Sequence, residues 1–276
     1  MSMVKEALRR IAGRRLLNDW HAFKSQVMLF RWFRNWREIW SAEQAGRDLP
    51  PLMLRGGLEI HHGQGDSPLY IFKEIFVEEC YTRSNFFRPR RWHTVLDLGA
   101  NIGSFAIYLQ WRARGIRVHC FEPAEETRNR LEQNIRINNL DKHVSVYPLA
   151  VSDRPGVAYL KQARKTGVRS LFENKHSIGV GEEVECISLQ QALDQCGVDR
   201  VDFLKVDVEG AEIEVFEGAC GRIWNRIERV ALEFHDVHRA GCRNRVLHVL
   251  RANGFNRLAV DHLSPDQTVG IIRAAR

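Results

Sequence analysis

From about residue 92 onwards, short apolar runs alternate with longer amphipathic runs, and this alternation constrains the fold more than any other feature of the chain. The apolar runs have the length of strands, and the runs between them repeat apolar residues at the helical period. Strands that alternate with helices form parallel β–α–β units, in which helices cover the sheet. We therefore predict an α/β domain over residues 91–276, preceded by a helical extension, residues 1–90.

The order of these runs predicts individual elements. The predicted strands are HTVLDLG, RVHCFEP, VSVYPLAV, VDFLKVDV, IERVALEF, RLAVD and TVGIIR. The predicted helices are SFAIYLQWRARG, AEETRNRLEQNIRINN, SLQQALDQCG and NRVLHVLRANGF. Residues 156–187 break the rhythm with short polar and β-like pieces, so we predict an excursion near the functional site there. The run LYIFKEIFVEECY, residues 69–81, fits either a helix or a strand.

Residues 1–40 carry most of the positive charge of the chain. They contain nine Lys or Arg residues against three acids, a net charge of +6, while the whole chain has +7. Apolar residues recur there at helical spacing: Leu29, Trp32 or Phe33, Trp36 and Trp40. The pattern predicts a basic, aromatic amphipathic helix. Such a helix docks on the protein or on a second copy, or lies on an anionic membrane surface; nucleic acid is a less favoured partner.

Composition narrows the class of protein. A hydrophobic content of 44% and a charged content of 27% are typical of a folded domain. The six cysteines are scattered without a CxxC pair, which favours reduced thiols over a disulfide framework or a zinc site. No apolar run approaches the roughly 20 residues of a membrane span, and MSMVKEALRRIAGRR lacks the apolar core of a signal peptide. We therefore expect a cytoplasmic protein, with peripheral membrane contact if residues 1–40 bind lipid.

The first predicted strand runs into VLDLGANIGSF, which places Asp97, Gly99, Asn101 and Gly103 at alternate positions before a helix. We call residues 97–103 the glycine loop. Such a turn brings backbone close to a ligand, and the helix N-terminus offers unpaired N–H groups. A dinucleotide site needs GxGxxG, which this loop lacks. It instead suits S-adenosylmethionine, whose zwitterionic amino-acid part needs an acid and amide donors. A tight β–α turn without a ligand is the alternative.

Glu122 stands in CFEP, at the end of the second predicted strand and 25 positions after Asp97. An acid there can accept hydrogen bonds from the ribose hydroxyls of an adenosine. The alternative is a surface acid ahead of Pro123, a residue type that starts helices well. Because the glycine loop and this acid follow one another in the expected order, we favour a bound nucleoside cofactor.

Six segments resemble FkbM-type S-adenosylmethionine-dependent methyltransferases: DLGANIGSFA, FEP, NIRINN, LAVSD, LKVDVEGAE and LEFH. The resemblance covers about residues 94–235, and residues 1–90 align with no part of the family core. It implies a Rossmann-like, seven-stranded class I methyltransferase sheet. It also implies that the glycine loop surrounds the methionine part of the cofactor, that Glu122 holds the ribose, and that Asp153 holds the adenine.

Charged residues follow the fourth and fifth predicted strands: Lys205, Asp207 and Glu209 in one, Glu233 and His235 in the other. The ends of neighbouring parallel strands converge on one crevice. Three interpretations remain open. Asp207 or His235 deprotonates a substrate hydroxyl; or Asp207, Glu233 and His235 bind Mg²⁺ or Mn²⁺; or the acids only cap the helix that opens at GAEIEVFEG, in a box-like arrangement.

Lys205, beside Asp207 and Glu209, resembles part of the Lys-Asp-Lys-Glu set of RNA ribose methyltransferases. No second lysine stands at another predicted strand end. Methyltransferases that act on base amines usually carry a DPPY-like or NPPY-like run after the fourth strand, and this chain has DVEG. Methylation of a nucleobase is therefore disfavoured.

We predict an S-adenosylmethionine-dependent O-methyltransferase that acts on a hydroxyl of a small molecule. FkbM-type enzymes are associated with sugar or secondary-metabolite hydroxyls, so the resemblance implies a saccharide, glycolipid or secondary metabolite as acceptor. The alternatives are an RNA ribose O-methyltransferase and a binding protein that keeps the fold without turnover. Four residues of the irregular stretch are candidates for shaping the acceptor pocket: Arg164, Lys165, Arg169 and His176.

Overall fold

The computed structural model describes residues 25–64, 66–163, 169–170 and 177–276, with side chains described outside 161–180. The predictions for residues 1–24 and for the side chains of Arg164, Lys165, Arg169 and His176 lie outside these limits. The chain divides between His61 and His62 into two compact units. Residues 62–90 thus belong to the larger unit, while the functional boundary after residue 90 stays a prediction.

The smaller unit contains helical residues 25–32 (α1), helix α2 (Trp36–Gln44) and an antiparallel pair of short strands, β1 (Leu52–Met53) and β2 (Glu59–Ile60). The predicted single amphipathic helix is wrong, because the chain turns between α1 and α2. Phe33 is fully buried at this turn and its backbone pairs with that of Leu54. The Asn35 side chain fixes the turn by donating to the Pro51 carbonyl at 2.8 Å.

The larger unit has two sheets with intervening helices. Its strands are β3 (Thr94–Leu98), β4 (Arg117–Phe121), β5 (Val144–Tyr147), β6 (Ala150–Ser152), β7 (Gly156–Ala163), β8 (Arg169–Ser170), β9 (Ser177–Ser188), β10 (Phe203–Val206), β11 (Arg229–His235), β12 (Arg257–His262) and β13 (Val269–Ala275). Its helices are α3 (Pro68–Phe72), a π-helical turn (Lys73–Val77), α4 (Ser104–Arg112), α5 (Glu125–Ile137), α6 (Leu189–Gln195), α7 (Glu212–Glu217), α8 (Gly221–Trp224) and α9 (Cys242–Ala252).

The main sheet has seven strands in the order β12-β13-β11-β10-β3-β4-β5. The five strands from β11 to β5 are parallel, and β13 lies antiparallel between β11 and β12. Every residue of β3 and β10 is buried, as expected for central parallel strands covered on both faces. The predicted Rossmann-like, seven-stranded α/β fold is confirmed. Its topology brings the carboxyl ends of β3, β4, β10 and β11 to one edge.

The structure tests three local predictions. The run VSVYPLAV forms two strands rather than one: β5 stays in the main sheet, and β6 joins a second sheet of order β6-β9-β7-β8. Pro148, which stands between them, has no N–H for a strand ladder. Residues 156–163, 169–170 and 177–187 lie in strands of this second sheet, so the predicted β-like pieces are confirmed there. The ambiguous run LYIFKEIFVEECY is helical and passes from α3 into the π-helical turn.

Within the described part of the chain, no helix combines the length and the apolar character needed to cross a lipid bilayer.

Candidate active site

Two adjoining cavities open at the carboxyl ends of the central strands. The first contains about 680 Å³ of empty space, open solvent included. It is lined by Gly99 and Asn101 of the glycine loop, by Glu122 and by apolar residues that follow β5. The second is lined by residues before β3 and by the ends of β10 and β11. Asn101, Asp207 and Glu209 border both cavities, so a molecule in one can reach a molecule in the other.

The glycine loop has the backbone that its sequence predicts. Gly99, Asn101 and Gly103 adopt φ angles of +75°, +51° and +86°, in the left-handed region that glycine and asparagine tolerate best. A Cβ at Gly99 would lie 1.8 Å from the backbone oxygen of Asp207. Glycine is therefore required at this position, because the loop packs directly against the chain that leaves β10.

Glu122 is held by backbone donors at the end of β4. Its carboxylate accepts a 2.9 Å hydrogen bond from the Asn101 N–H and a 3.0 Å bond from the Ala124 N–H. The side chain lines the first cavity and is buried. A carboxylate oriented in this way suits hydroxyl donors of a ribose, because charged acceptors form the stronger hydrogen bonds.

Asp97 and Lys205 form a buried ion pair between the adjacent strands β3 and β10. Lys205 Nζ lies 3.0 Å from Asp97 Oδ1 and donates to the Gly99 carbonyl at 2.8 Å. Burial alone would lower the pKa of Lys205, but the carboxylates of Asp97 and Asp207 outweigh it and raise the pKa. Lys205 is therefore protonated and ties the glycine loop to β10. The geometry gives it this structural role rather than that of a base.

Acidic side chains and one histidine converge where β10 and β11 end. His235 Nε2 lies 3.5 Å from Glu209 Oε2 and 3.6 Å from Glu233 Oε1, while its Nδ1 lies 2.9 Å from Glu212 Oε1. Burial alone would lower the pKa of His235, but hydrogen bonds to Glu212 and Glu233 and the charge of Glu209 raise it well above its usual range. A protonated imidazole cannot accept a proton, so the geometry favours Asp207 over His235 as a base.

Glu209 does not stand at the N-cap position of α7. The N-cap of α7 is Ala211, which makes no side-chain capping bond. Glu209 has a left-handed backbone, with φ +51°, and its carboxylate lies 3.5 Å from His235 Nε2. Burial and the neighbouring carboxylates raise the pKa of Glu209 to about 8, although His235 opposes the shift. Glu209 therefore has a contact with His235 besides any capping role, and capping by these acids stays a prediction.

Asp207, Glu209 and His235 offer ligand atoms that all lie within 4.8 Å of one another. The predicted metal set contained Glu233 in place of Glu209. Glu212, fully buried, holds the far ring nitrogen of His235, an arrangement often found behind metal-binding histidines. The donor set of carboxylate oxygens and one imidazole is therefore compatible with Mg²⁺ or Mn²⁺.

The structure places Asp153 apart from these groups. Its side chain is 42% exposed and is absent from the residues that line the first cavity. Its backbone instead lies against Gly218, where a Cβ would meet the Asp153 Cα at 2.4 Å. The apolar wall of the first cavity is formed by Leu149, Ala150 and Val151. A contact of Asp153 with adenine stays a prediction.

Residues 70–81 contribute to the second cavity, and sequence reasoning missed them. Tyr81 donates to Asp207 Oδ2 at 3.1 Å or to Glu233 Oε2 at 3.3 Å. Tyr70 and Glu74 line the same cavity. Burial raises the pKa of the Glu74 carboxyl to about 7. The available signal was the spacing of positions 70, 74 and 81, which puts three polar groups on one helical face of an apolar run.

The chain matches the family model described as the methyltransferase FkbM domain over residues 97–257. It is 30% identical over 237 residues to the 31-O-demethyl-FK506 methyltransferase FkbM of Streptomyces tacrolimicus, covering 75% of this chain and 89% of that protein. It is 29% identical over 247 residues to the AMB antimetabolite synthetase AmbE of Pseudomonas aeruginosa, where the match covers 75% of this chain but 11% of that protein.

Among solved structures, the FkbM methyltransferase of Methylobacillus flagellatus superposes with a TM-score of 0.53 at 15% identity. The match covers 95% of this chain and 60% of that one. At this level of identity the superposition supports the class I methyltransferase fold alone.

Proposed function

The chain belongs to the FkbM family of S-adenosylmethionine-dependent methyltransferases, and from this membership we propose that it methylates a hydroxyl of a small molecule. S-adenosylmethionine supplies an electrophilic methyl group when it is bound. The first cavity suits it, because Gly99 allows the close backbone approach and Glu122 presents a fixed carboxylate. Asp97 is fully buried and is not among the residues that line this cavity, so its contact with the methionine part of the cofactor stays a prediction.

The observation that carries the proposal is the position of Asp207 between the two cavities. A hydroxyl is a poor nucleophile until its proton is removed, so O-methylation calls for a base beside the acceptor. Asp207 lines both cavities and its side chain is 24% exposed, while its Oδ1 is buried without a hydrogen-bond partner among the described residues. Asp207 therefore offers a carboxylate oxygen that can take this proton, while the cavity walls align the acceptor and exclude water.

The charge of the second cavity supports a neutral or cationic small molecule as acceptor. Its lining carries one lysine, Lys205, against five acids: Asp66, Glu74, Asp207, Glu209 and Glu233. Phosphates of an RNA chain would be repelled by this excess of negative charge. A saccharide or another polyhydroxylated metabolite fits better, since its hydroxyls can donate to the carboxylates. The name of the relative from Streptomyces denotes an O-demethyl substrate, which supports transfer to oxygen.

A divalent cation provides a second means of activating the hydroxyl. Asp207, Glu209 and His235 would hold Mg²⁺ or Mn²⁺, which would polarise the acceptor oxygen. Binding of the ion would require His235 to lose its proton, since a metal ligand must present a lone pair. Activity that survives EDTA would leave Asp207 as the activating group, whereas activity that is lost and then restored by Mg²⁺ or Mn²⁺ would support the ion.

The test is methyl transfer from labelled S-adenosylmethionine to a panel of saccharides, glycolipids and RNA oligonucleotides, by wild type and by Asp207→Asn. We expect the variant to bind S-adenosylmethionine but to lose on the order of 10²-fold to 10⁴-fold in kcat. Asp199→Asn, at an exposed aspartate before β10, is the matched control and should keep full activity. Full activity of Asp207→Asn would refute the role of Asp207. Binding without turnover on every acceptor would favour a non-catalytic binding protein.

A membrane or self-association role of residues 1–40 stays a proposal. In the described part, Phe30 is 56% exposed and lies beside basic Arg55, a pairing that suits an anionic interface. Deletion of residues 1–40 should abolish co-sedimentation with anionic vesicles or shift the oligomeric state in solution. If both stay unchanged, these residues have neither role.

A further inference from the structure

We propose that Tyr81 is a positioning residue for methyl transfer: its hydroxyl donates to Oδ2 of Asp207 and thereby fixes the orientation of this carboxylate beside the acceptor. The proposal rests on the proposed function, because it takes Asp207 to be the group that accepts the hydroxyl proton. Tyr81 lies outside the family match, which begins at residue 97, and reaches Asp207 across 126 positions of the chain.

The two oxygens of Asp207 have different surroundings. Oδ2 accepts from the Tyr81 hydroxyl at 3.1 Å and lies 3.5 Å from the Lys205 ammonium group. Oδ1 is buried and has no hydrogen-bond partner among the described residues. A carboxylate anchored through one oxygen cannot rotate freely, so its second oxygen keeps a fixed direction. The phenol has one proton, so Tyr81 can donate either to Asp207 or to Glu233, whose Oε2 lies 3.3 Å away, but not to both at once.

The ring of Tyr81 is itself fixed. The residue is 5% exposed, and its ring packs edge-on against Phe105 with centroids 5.4 Å apart. On another side, the Lys205 ammonium lies 5.4 Å from the ring centroid, within the range of a cation–π contact. Burial, together with the charges of Asp207 and Glu233, raises the pKa of the Tyr81 phenol well above its usual value. Tyr81 therefore remains a hydrogen-bond donor.

The backbone on both sides of Tyr81 is anchored to the rest of the unit. Arg273 of β13 donates to the Cys80 carbonyl at 2.7 Å, and Arg112 of α4 donates to the Glu79 carboxylate at 2.9 Å. The Thr82 hydroxyl shares a 2.8 Å hydrogen bond with the hydroxyl of Tyr108. Glu79 also has a left-handed backbone, with φ +50°, and such conformations persist only where the surroundings enforce them. Tyr81 is thus preorganised rather than recruited by the acceptor.

With these roles for Asp207 and Tyr81, the bonds, electrons and proton of the methyl transfer balance. The acceptor oxygen forms its bond to the methyl carbon while the sulfur–methyl bond breaks, and the sulfur keeps the electron pair as a thioether. The hydroxyl proton passes to the Asp207 carboxylate. Tyr81 neither gains nor loses a proton, so it acts through Asp207 and not on the reacting atoms.

Tyr81→Phe keeps the ring and its packing and removes only the hydroxyl. We expect kcat to fall roughly 10-fold to 100-fold, the effect of losing one charge-assisted hydrogen bond, while the KM for S-adenosylmethionine is unchanged. The matched control is Tyr159→Phe, because the Tyr159 hydroxyl also donates to a carboxylate, that of Glu183 at 3.0 Å, but at a 51% exposed position outside the cavities. It should keep wild-type kcat and KM.

Turnover is expressed per S-adenosylmethionine site counted by calorimetry, so that unfolded protein does not contribute to kcat. A lower number of sites with normal turnover per site would show a merely structural role and overturn the proposal. If the wild type is active and Tyr81→Phe has the same kcat, the role of Tyr81 is overturned and the proposed function stays intact. A wild type that methylates no hydroxyl in the panel overturns both.

Discussion

Replacement of Gly99 by alanine tests whether the contact between the glycine loop and the end of β10 positions Asp207. The added Cβ would lie 1.8 Å from the Asp207 carbonyl oxygen and 2.8 Å from its carbonyl carbon. Real Cβ contacts are essentially never closer than 3.0 Å, so the two segments must separate by about 1.2 Å. The Asp207 atoms that the Cβ would meet belong to the backbone, so rotation of a side chain cannot relieve the clash.

The expected loss of stability has two parts. An alanine at a φ of +75° costs roughly 1–2 kcal/mol because of the left-handed backbone. Forcing extra volume into a packed site costs roughly 1–3 kcal/mol more. Gly197→Ala is the control for the first part, since Gly197 has φ +62° and open space where its Cβ would stand. Gly99→Ala should therefore lower the free energy of unfolding by about 1–3 kcal/mol more than Gly197→Ala does.

Urea unfolding of both variants measures this difference, and calorimetry measures their affinity for S-adenosylmethionine. Gly99 and Asp207 line the first cavity, so we expect the separation of the two segments to weaken binding in Gly99→Ala and to leave Gly197→Ala unaffected. Equal unfolding free energies, together with unchanged affinity in Gly99→Ala, would refute the reasoning that close backbone approach shapes this site.

Three further changes probe the two cavities. Glu122→Gln should weaken S-adenosylmethionine binding by about 10-fold, because an amide accepts weaker hydrogen bonds than a carboxylate; unchanged affinity in calorimetry would remove Glu122 from the site. Asp153→Asn should leave that affinity unchanged, since the side chain is exposed outside the cavity, and a clear loss would support the predicted adenine contact. Burial raises the pKa of the Glu74 carboxyl from 4.5 to about 7, so its contribution to stability is complete below pH 4.5 and lost as the pH rises through 7. In Glu74→Gln, the decrease in the free energy of unfolding between about pH 5 and pH 8 should be smaller by roughly 1 kcal/mol, because partial solvent exposure weakens the effect. Urea unfolding across this pH range measures the difference, and an unaltered pH dependence would contradict the raised pKa.

The fold was predictable because its signal is local and repeated. The apolar runs at Thr94–Leu98, Phe203–Val206 and Arg229–His235 become strands of the main sheet, and the family motifs give their order. The glycine loop was predictable for the same reason, since alternating glycine and asparagine permit few backbone shapes. Where the sequence signal was mixed, as in VSVYPLAV, one proline decided the outcome by ending β5 and separating β6.

The partners of the site acids were not predictable from local rules. No spacing relates Tyr81 to Asp207, because their contact depends on how residues before β3 pack over the sheet. The left-handed backbone of Glu209 likewise turns its carboxylate towards His235, whereas its position before α7 indicated a cap. The raised pKa of His235 depends on the buried Glu212, which only the folded chain brings to it.

The wall formed by residues 66–81 has a consequence for how this enzyme can diverge. Those residues lie before the family match at 97–257, whereas Gly99 and Glu122 of the first cavity lie inside it. Under the proposed function, recognition of the acceptor and delivery of the methyl group would be encoded partly in separate, adjacent stretches of the gene. We expect chimeras that exchange only residues 66–90 between relatives to inherit the acceptor range of the donor and the cofactor affinity of the host.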